Sequence, residues 1–175
     1  MTRAAHAGSD MADCVFRDAR TEDAEGMAAV YAPYVESTSV SFELTAPSAA
    51  EMATRIAEKR DSGFPWLALE VGGRLAGYAY YGSWRARDAY RNTVESAIYL
   101  DGEFQGRGLA TRLYAALIAR ARDEGRRAMI GVIALPNDAS EALHRRLGFE
   151  RAGLFREVGY KAGRWLDVAF WELLL

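Results

Sequence analysis

The chain is short of the residues that staple a fold or hold a metal. Cys14 is its only cysteine, and it has two histidines, His6 and His144, in 175 residues. One cysteine excludes an internal disulfide and a cysteine-built zinc site. Cys14 stands at the start of an apolar segment and reads as a small, partly buried residue rather than a nucleophile. An excess of one charge is also missing: Lys and Arg number 22 against 24 Asp and Glu, for a net charge of −2. That argues against a surface made for nucleic acid or anionic membrane. No apolar run approaches the roughly 20 residues that span a bilayer. The first residues carry Arg3 and His6 but no apolar signal core. The expectation is a cytoplasmic protein with neither nucleic acid nor membrane as partner, and with no metal. Internal repeats and low-complexity linkers are absent as well.

What is present is a globular composition, 50% apolar over a length that suits one domain with a real core. Residues 1–13 are rich in Ala, Gly and Asp without periodicity and read as a flexible tail, leaving one domain over 14–175. A strand is expected at Val15–Asp18. A helix capped near Thr21 and Asp23 follows, with Met27, Val30, Tyr31 and Tyr34 on one face and a kink or break at Pro33. Ser37–Phe42 reads as a loop, and Pro47-Ser48 opens a second helix ending near Gly63. Trp66–Val71 and Arg74–Tyr81 form a hairpin through Gly72-Gly73. Ser83–Asn92 is an Arg-rich loop and Thr93–Leu100 a strand. Leu109, Leu113, Ala116 and Leu117 make a helical stripe running to Gly125. A strand at Ala128–Leu135, a short helix at Asn137–Leu147 and strands at Phe149–Phe155 and Trp165–Leu174 complete the chain. Hairpins come early and strand–helix–strand units late. The pattern implies an α/β domain with a mixed, mostly antiparallel sheet and helices on both faces.

The most informative stretch is Gln105-Gly106-Arg107-Gly108-Leu109-Ala110, between the strand and the amphipathic helix. Glycine lets the backbone approach an anion and turn sharply, and the helix adds the positive end of its dipole. A dinucleotide fingerprint fails, because Thr111 stands where a third glycine is required; a P-loop fails for want of Lys. What remains is Gln-x-x-Gly-x-Ala at Gln105, Gly108 and Ala110.

That pattern resembles the pyrophosphate-binding motif of the GNAT superfamily of acyl-CoA-dependent N-acetyltransferases. The element order resembles the GNAT order too, as does Asn137–Ser140 followed by Leu143–Phe149. Three further segments, Tyr31–Val35, Ala89–Glu95 and Gly159–Val168, are similar to those of the phosphinothricin / methionine sulfoximine acetyltransferases. The resemblance runs from about Val15 to Leu175. It implies a GNAT fold, acetyl-CoA as cosubstrate, a small amino-acid-like amine as acceptor, attack in a ternary complex, and a homodimer.

Acetyl transfer to an amine needs a neutral nucleophile, a held thioester and support for the departing thiolate. Aliphatic amines have pKa values of roughly 8 to 10 and are mostly protonated at neutral pH, so a base must take a proton. The resemblance places that carboxylate at Glu95, which strand alternation puts on one face with Ala97 and Tyr99; a solvated surface carboxylate is the plain alternative. Ile98, Tyr99 and Leu100 are expected to offer backbone groups to the pantetheine arm. Gln105, Gly106, Arg107, Gly108, Leu109, Ala110 and Thr111 are expected to wrap the pyrophosphate. Arg107 and Arg112 either pair with phosphates or are solvated charges at a helix start. Asn137 is either a pantetheine contact or a plain N-cap. His144 stands where the wider superfamily has a Tyr that protonates the thiolate; it either does that work or is a buried structural histidine. Arg85 and Arg87 lie in the loop that the resemblance assigns to the acceptor, and guanidinium suits a carboxylate. Tyr34, Phe42, Trp84 and Tyr90 are candidates for the acceptor pocket. Another amine acceptor (a polyamine, a protein N-terminus or an aminoglycoside) and a non-catalytic acyl-CoA-binding module are the rival readings. A polycation would call for acidic clusters, which the Arg-rich loop does not supply.

Overall fold

The computed structural model describes residues 14–175, and the tail expected over 1–13 lies outside the described residues. Seven strands form one sheet: β1 (Cys14–Asp18), β2 (Trp66–Val71), β3 (Arg74–Ser83), β4 (Thr93–Leu100), β5 (Ala128–Ala134), β6 (Glu150–Lys161) and β7 (Arg164–Leu174). Their order is β1-β2-β3-β4-β5-β7-β6. Only β4 and β5 pair in parallel; every other neighbouring pair is antiparallel. The helices are α1 (Ala24–Glu36), α2 (Ala49–Asp61), α3 (Leu109–Asp123) and α4 (Asp138–Arg146). The α/β architecture is the one expected.

Helices α2 and α4 start where a side chain occupies a free N–H group of the first turn. At α2, Ser48 Oγ accepts from the Glu51 N–H at 3.2 Å, and Glu51 Oε2 accepts from the Ser48 N–H at 2.7 Å. That reciprocal box is legible in the sequence as Ser-x-x-Glu. In α3, Leu109, Leu113 and Leu117 recur every fourth residue and are at most 2% exposed, so one stripe carries the helix onto the sheet.

The sheet separates two cores. On one face α3 covers Leu67, Leu69, Ala79, Tyr81, Val94, Leu100 and Met129. On the other, α1 and α2 cover Trp66, Ala68 and Tyr78. Alternation along β2, β3 and β4 sends odd and even residues to opposite cores.

Two expectations about elements are corrected. Pro33 does not break α1, which runs on to Glu36, where the Ser37 N–H reaches the Pro33 carbonyl at 3.0 Å. Proline removes its own N–H bond and crowds the carbonyl four residues back, but Val35, at 1% exposure, anchors the last turn in the core. Strand β6 does not end at Phe155; it continues to Lys161 through register irregularities at Arg151/Gly153 and Phe155/Gly159. Residues 150–158 are all exposed, so no burial alternation marks them; backbone pairing with β7 extends the strand. A two-residue turn at Ala162-Gly163, with φ of 50° and 77°, closes the β6–β7 hairpin.

Candidate active site

Strands β4 and β5 run side by side only from Thr93/Ala128 to Ser96/Gly131. Beyond that they part. The edge of β4 from Ala97 to Leu100 and the edge of β5 from Val132 to Ala134 face each other without a ladder, while β4 stays paired to β3 as far as Leu100/Gly77. Backbone amides and carbonyls on two parted strands must find other partners. The opening is lined by Ala97, Ile98, Tyr99, Ile133, Asn137 and His144, among others. Ile98, Tyr99 and Leu100, expected to serve a pantetheine arm, therefore occupy the parted section.

The parted end of β4 leads past Leu100 to the glycine loop. Gly106 and Gly108 have φ of 73° and 76°, with nothing within 4 Å of where a Cβ would stand. Gly108 is the N-cap of α3. The N–H groups of Leu109, Ala110 and Thr111 fall in the first turn, where a helix supplies no acceptors. Arg107 lies over the Phe104 ring at 5.4 Å, and Arg112 over Phe16 at 5.2 Å. Gln105 Nε2 donates to Tyr34 Oη at 2.9 Å. The same hydroxyl donates to the Leu100 carbonyl at 2.6 Å and receives the Leu100 N–H at 3.3 Å. The Tyr34 hydroxyl thus ties α1, the end of β4 and the loop together, and only its ring is left to face an acceptor. Parted strands running into a helix N-terminus through an open glycine loop suit a long arm ending in a diphosphate. Acetyl-CoA, the cosubstrate that the resemblance implies, would supply an activated acetyl thioester there.

Glu95 lies on the α1/α2 face of β4, opposite Gly82 of β3. Its neighbour on that face, Tyr99, packs against Tyr31 at 4.7 Å and Tyr34 at 5.2 Å. Desolvation raises the Glu95 pKa above the ordinary carboxylate value; Arg85 and Lys59 pull it back. Arg85 itself stacks on Trp84 at 4.6 Å. Arg87 precedes a single 3-10 turn, Asp88–Tyr90, with its carbonyl accepting from the Tyr90 N–H at 2.9 Å. Phe42, in the α1–α2 connection, sits on Gly159 of β6, where any Cβ would overlap its ring.

His144 occupies the opposite face of β4. It is 4% exposed, and its ring fills the space that a Cβ on Gly131 would need. Nδ1 is 2.8 Å from the Ser140 carbonyl, which can only accept, so Nδ1 carries the hydrogen. In the neutral ring Nε2 is then an acceptor, and it receives the Tyr114 hydroxyl at 3.1 Å. Tyr114 Oη lies 2.7 Å from Ser96 Oγ. Burial pushes the His144 pKa down, so the neutral form is favoured. Asn137 caps α4, its Oδ1 accepting from the Ser140 N–H at 3.1 Å, and it also lines the opening between β4 and β5.

Three features were not legible in the sequence. Tyr114 lies inside the α3 stripe and reads as core, yet its hydroxyl links Ser96 to His144. The aromatic wall of Tyr31, Tyr78, Tyr80 and Tyr99 comes from three separate elements, α1, β3 and β4. Lys161 was singled out only as part of a motif; it is 8% exposed, and its Nζ donates to Val35 O at 2.6 Å and Ser41 O at 2.7 Å. It fastens the C-terminus of α1 and the following loop to β6.

Residues 16–170 match the acetyltransferase (GNAT) domain. The chain is 38% identical over 156 residues to the phosphinothricin N-acetyltransferase of Streptomyces viridochromogenes, covering 89% of this chain and 85% of that one. It is 40% identical over 160 residues to the L-methionine sulfoximine/L-methionine sulfone acetyltransferase of Pseudomonas paraeruginosa, covering 91% and 93%. The crystal structure of the phosphinothricin acetyltransferase (Pat) from Sinorhizobium meliloti in complex with AcCoA superposes with a TM-score of 0.89 at 40% identity, covering 93% of this chain and 89% of that one. The parted strands, the glycine loop and these relatives agree: the chain is an N-acetyltransferase and belongs to the GNAT family.

Proposed function

We propose that this enzyme acetylates the primary amine of a small amino acid or amino-acid analogue of the phosphinothricin or methionine sulfoximine type. The observation that carries the reading is Glu95, on the face of β4 away from the α3 core, within the field of Arg85 and beside a cleft suited to acetyl-CoA. The amine arrives protonated. Glu95 takes the proton, directly or through water, and its raised pKa makes it a better base than an unperturbed carboxylate. Arg85 and Arg87 hold the acceptor carboxylate, while Phe42 and the Tyr34 ring border its side chain. Backbone groups of Ile98–Leu100, with Asn137, hold the pantetheine arm, and Gln105–Thr111 hold the diphosphate. His144 lines the cleft and is the acid for the departing thiolate, a role that requires its ring first to take up a proton, since the unliganded fold favours the neutral form with Nε2 accepting from Tyr114. Attack is direct, in a ternary complex. Residues 14–175 act as one domain after a tail at 1–13, in a cytoplasmic homodimer. A polycationic acceptor is disfavoured by the arginines at positions 85, 87 and 91 in the loop beside the site.

Thiol release from acetyl-CoA, followed against a panel of amino acids and analogues, tests the assignment. Acceleration by methionine sulfoximine or phosphinothricin is the expected result; acceleration only by polyamines or aminoglycosides sinks the acceptor class.

A further inference from the structure

A cavity of about 370 Å³ opens between α2 and the β2–β3 hairpin, lined by Arg55, Glu58, Lys59, Phe64, Trp66 and Tyr80, among others. It lies on the same face of the sheet as Glu95: Tyr80 and Gly82 alternate along β3, and Gly82 is the cross-strand partner of Glu95. Lys59 reaches across to this spot. Its Nζ lies where a Cβ on Gly82 would stand, so the absence of a side chain at residue 82 is what admits the ammonium. The ammonium sits 5.6 Å from the Tyr80 ring and 5.8 Å from the Phe64 ring. Among the described residues it has no hydrogen bond and no carboxylate within ion-pair distance. Desolvation accordingly lowers its pKa.

A partly buried ammonium without an ion-pair partner gains when an anion takes up that place. Arg55 does not share this lack, since Glu43 accepts both of its terminal nitrogens, at 2.8 and 2.9 Å. Glu58 is exposed at the rim and forms no ion pair with Lys59. An ammonium without an ion-pair partner at the wall of an aromatic cavity suits an anion. Its position says which one. Both Arg85 and Lys59 act electrostatically on Glu95. An amino acid whose amine lies at Glu95 and whose carboxylate turns to Arg85 has its side chain left to run toward Lys59.

We propose that this cavity is a subsite for a second acidic group at the far end of the acceptor's side chain, with Lys59 as the residue that selects for it. The proposal rests on the acceptor class proposed above and narrows it to amino acids with an anionic side-chain terminus. Phosphinothricin, whose phosphinate carries a negative charge, and methionine sulfoximine, whose sulfoximine is neutral, are close in shape and separate charge from size.

The test compares kcat/KM for these two acceptors in the unaltered enzyme and in Lys59→Met, at a pH where Glu95 is ionised in both. The expected result is a fall of at least tenfold in the phosphinothricin to methionine sulfoximine ratio, carried mainly by the KM for phosphinothricin and recovered in part by Lys59→Arg. An unchanged ratio, with both acceptors slowed equally, overturns the subsite and leaves Lys59 acting through Glu95 or the fold. Should Lys59→Met not fold by circular dichroism, Lys59→Gln gives the same comparison with the stem retained. If the unaltered enzyme acetylates neither acceptor, the acceptor class itself is wrong, a result separate from an unchanged ratio.

Discussion

The two faces of β4 put ionisable groups to opposite uses. On the α3 face, Ser96, Tyr114 and His144 form a closed chain in which each hydroxyl and ring nitrogen has a partner. Burial there holds the imidazole neutral. On the α1/α2 face, one register step away, Glu95 is exposed and Lys59 half-buried, and the two do not touch. The first arrangement stabilises a native core, because a buried network is favourable only when complete. The second is poised for a ligand, since its charges gain partners only when an acceptor arrives. Polar groups are thus buried and satisfied on one side of the strand and left accessible to a ligand on the other.

Mutations can sharpen this contrast. The largest effect is expected from Glu95→Gln, which removes the base: kcat should fall by about 10²–10⁴-fold, while calorimetry finds acetyl-CoA binding retained. Equal turnover in the variant would show that Glu95 takes no proton. Tyr114→Phe attacks the other face. It strips a buried hydroxyl from Ser96 and His144, and denaturant unfolding should show a loss of about 1–3 kcal/mol. Lys161→Met leaves the Val35 and Ser41 carbonyls without their donor. We expect a similar loss of about 1–3 kcal/mol, with the acceptor KM rising more than the acetyl-CoA KM, because the loop it fastens carries Phe42. Gly108→Ala meets no neighbour and bears only the left-handed backbone cost of about 1–2 kcal/mol; its kinetic mark should be the acetyl-CoA KM, several-fold higher.

The smallest effect separates the faces by pH. His144 has a native pKa below the 6.5 of an unfolded histidine, so the native state binds fewer protons. Stability contributed by its neutral form is present above pH 6.5 and is lost as pH falls toward the native value. Thermal unfolding between pH 7 and 5 should show that loss in the unaltered protein and less of it in His144→Phe. Glu95 has the opposite linkage. Its raised native pKa means that it favours folding as pH falls, while activity needs it ionised. The acidic limb of kcat/KM should therefore lie above the ordinary carboxylate range and disappear in Glu95→Gln.

Much of the fold was legible because local patterns and tertiary packing agree. Thr93–Leu100 has its expected bounds, Gly72-Gly73 makes the expected hairpin, and the leucine stripe of α3 faces the core as spaced. Disagreement arose where one tendency outweighed another. The buried Val35 carried α1 past Pro33, and pairing with β7 carried β6 past Phe155 despite its exposed side chains. At the site, alternation along one strand was enough to send Glu95 to its face. Alternation within a strand says nothing of what a distant helix lays against it, so Lys59 over Gly82 and Lys161 under α1 had no local signal.

The sequence by itself determined the elements, the glycine loop and the side of β4 on which each residue stands, because these depend on backbone preferences and on periods of two and 3.6 residues. Tertiary structure alone decided where β4 and β5 part, that His144 is capped by Tyr114, and that Lys59 lies beside Glu95 without an anion. Those facts arise from contacts between segments tens of residues apart, whose energies depend on burial and mutual distance rather than on neighbours in the chain.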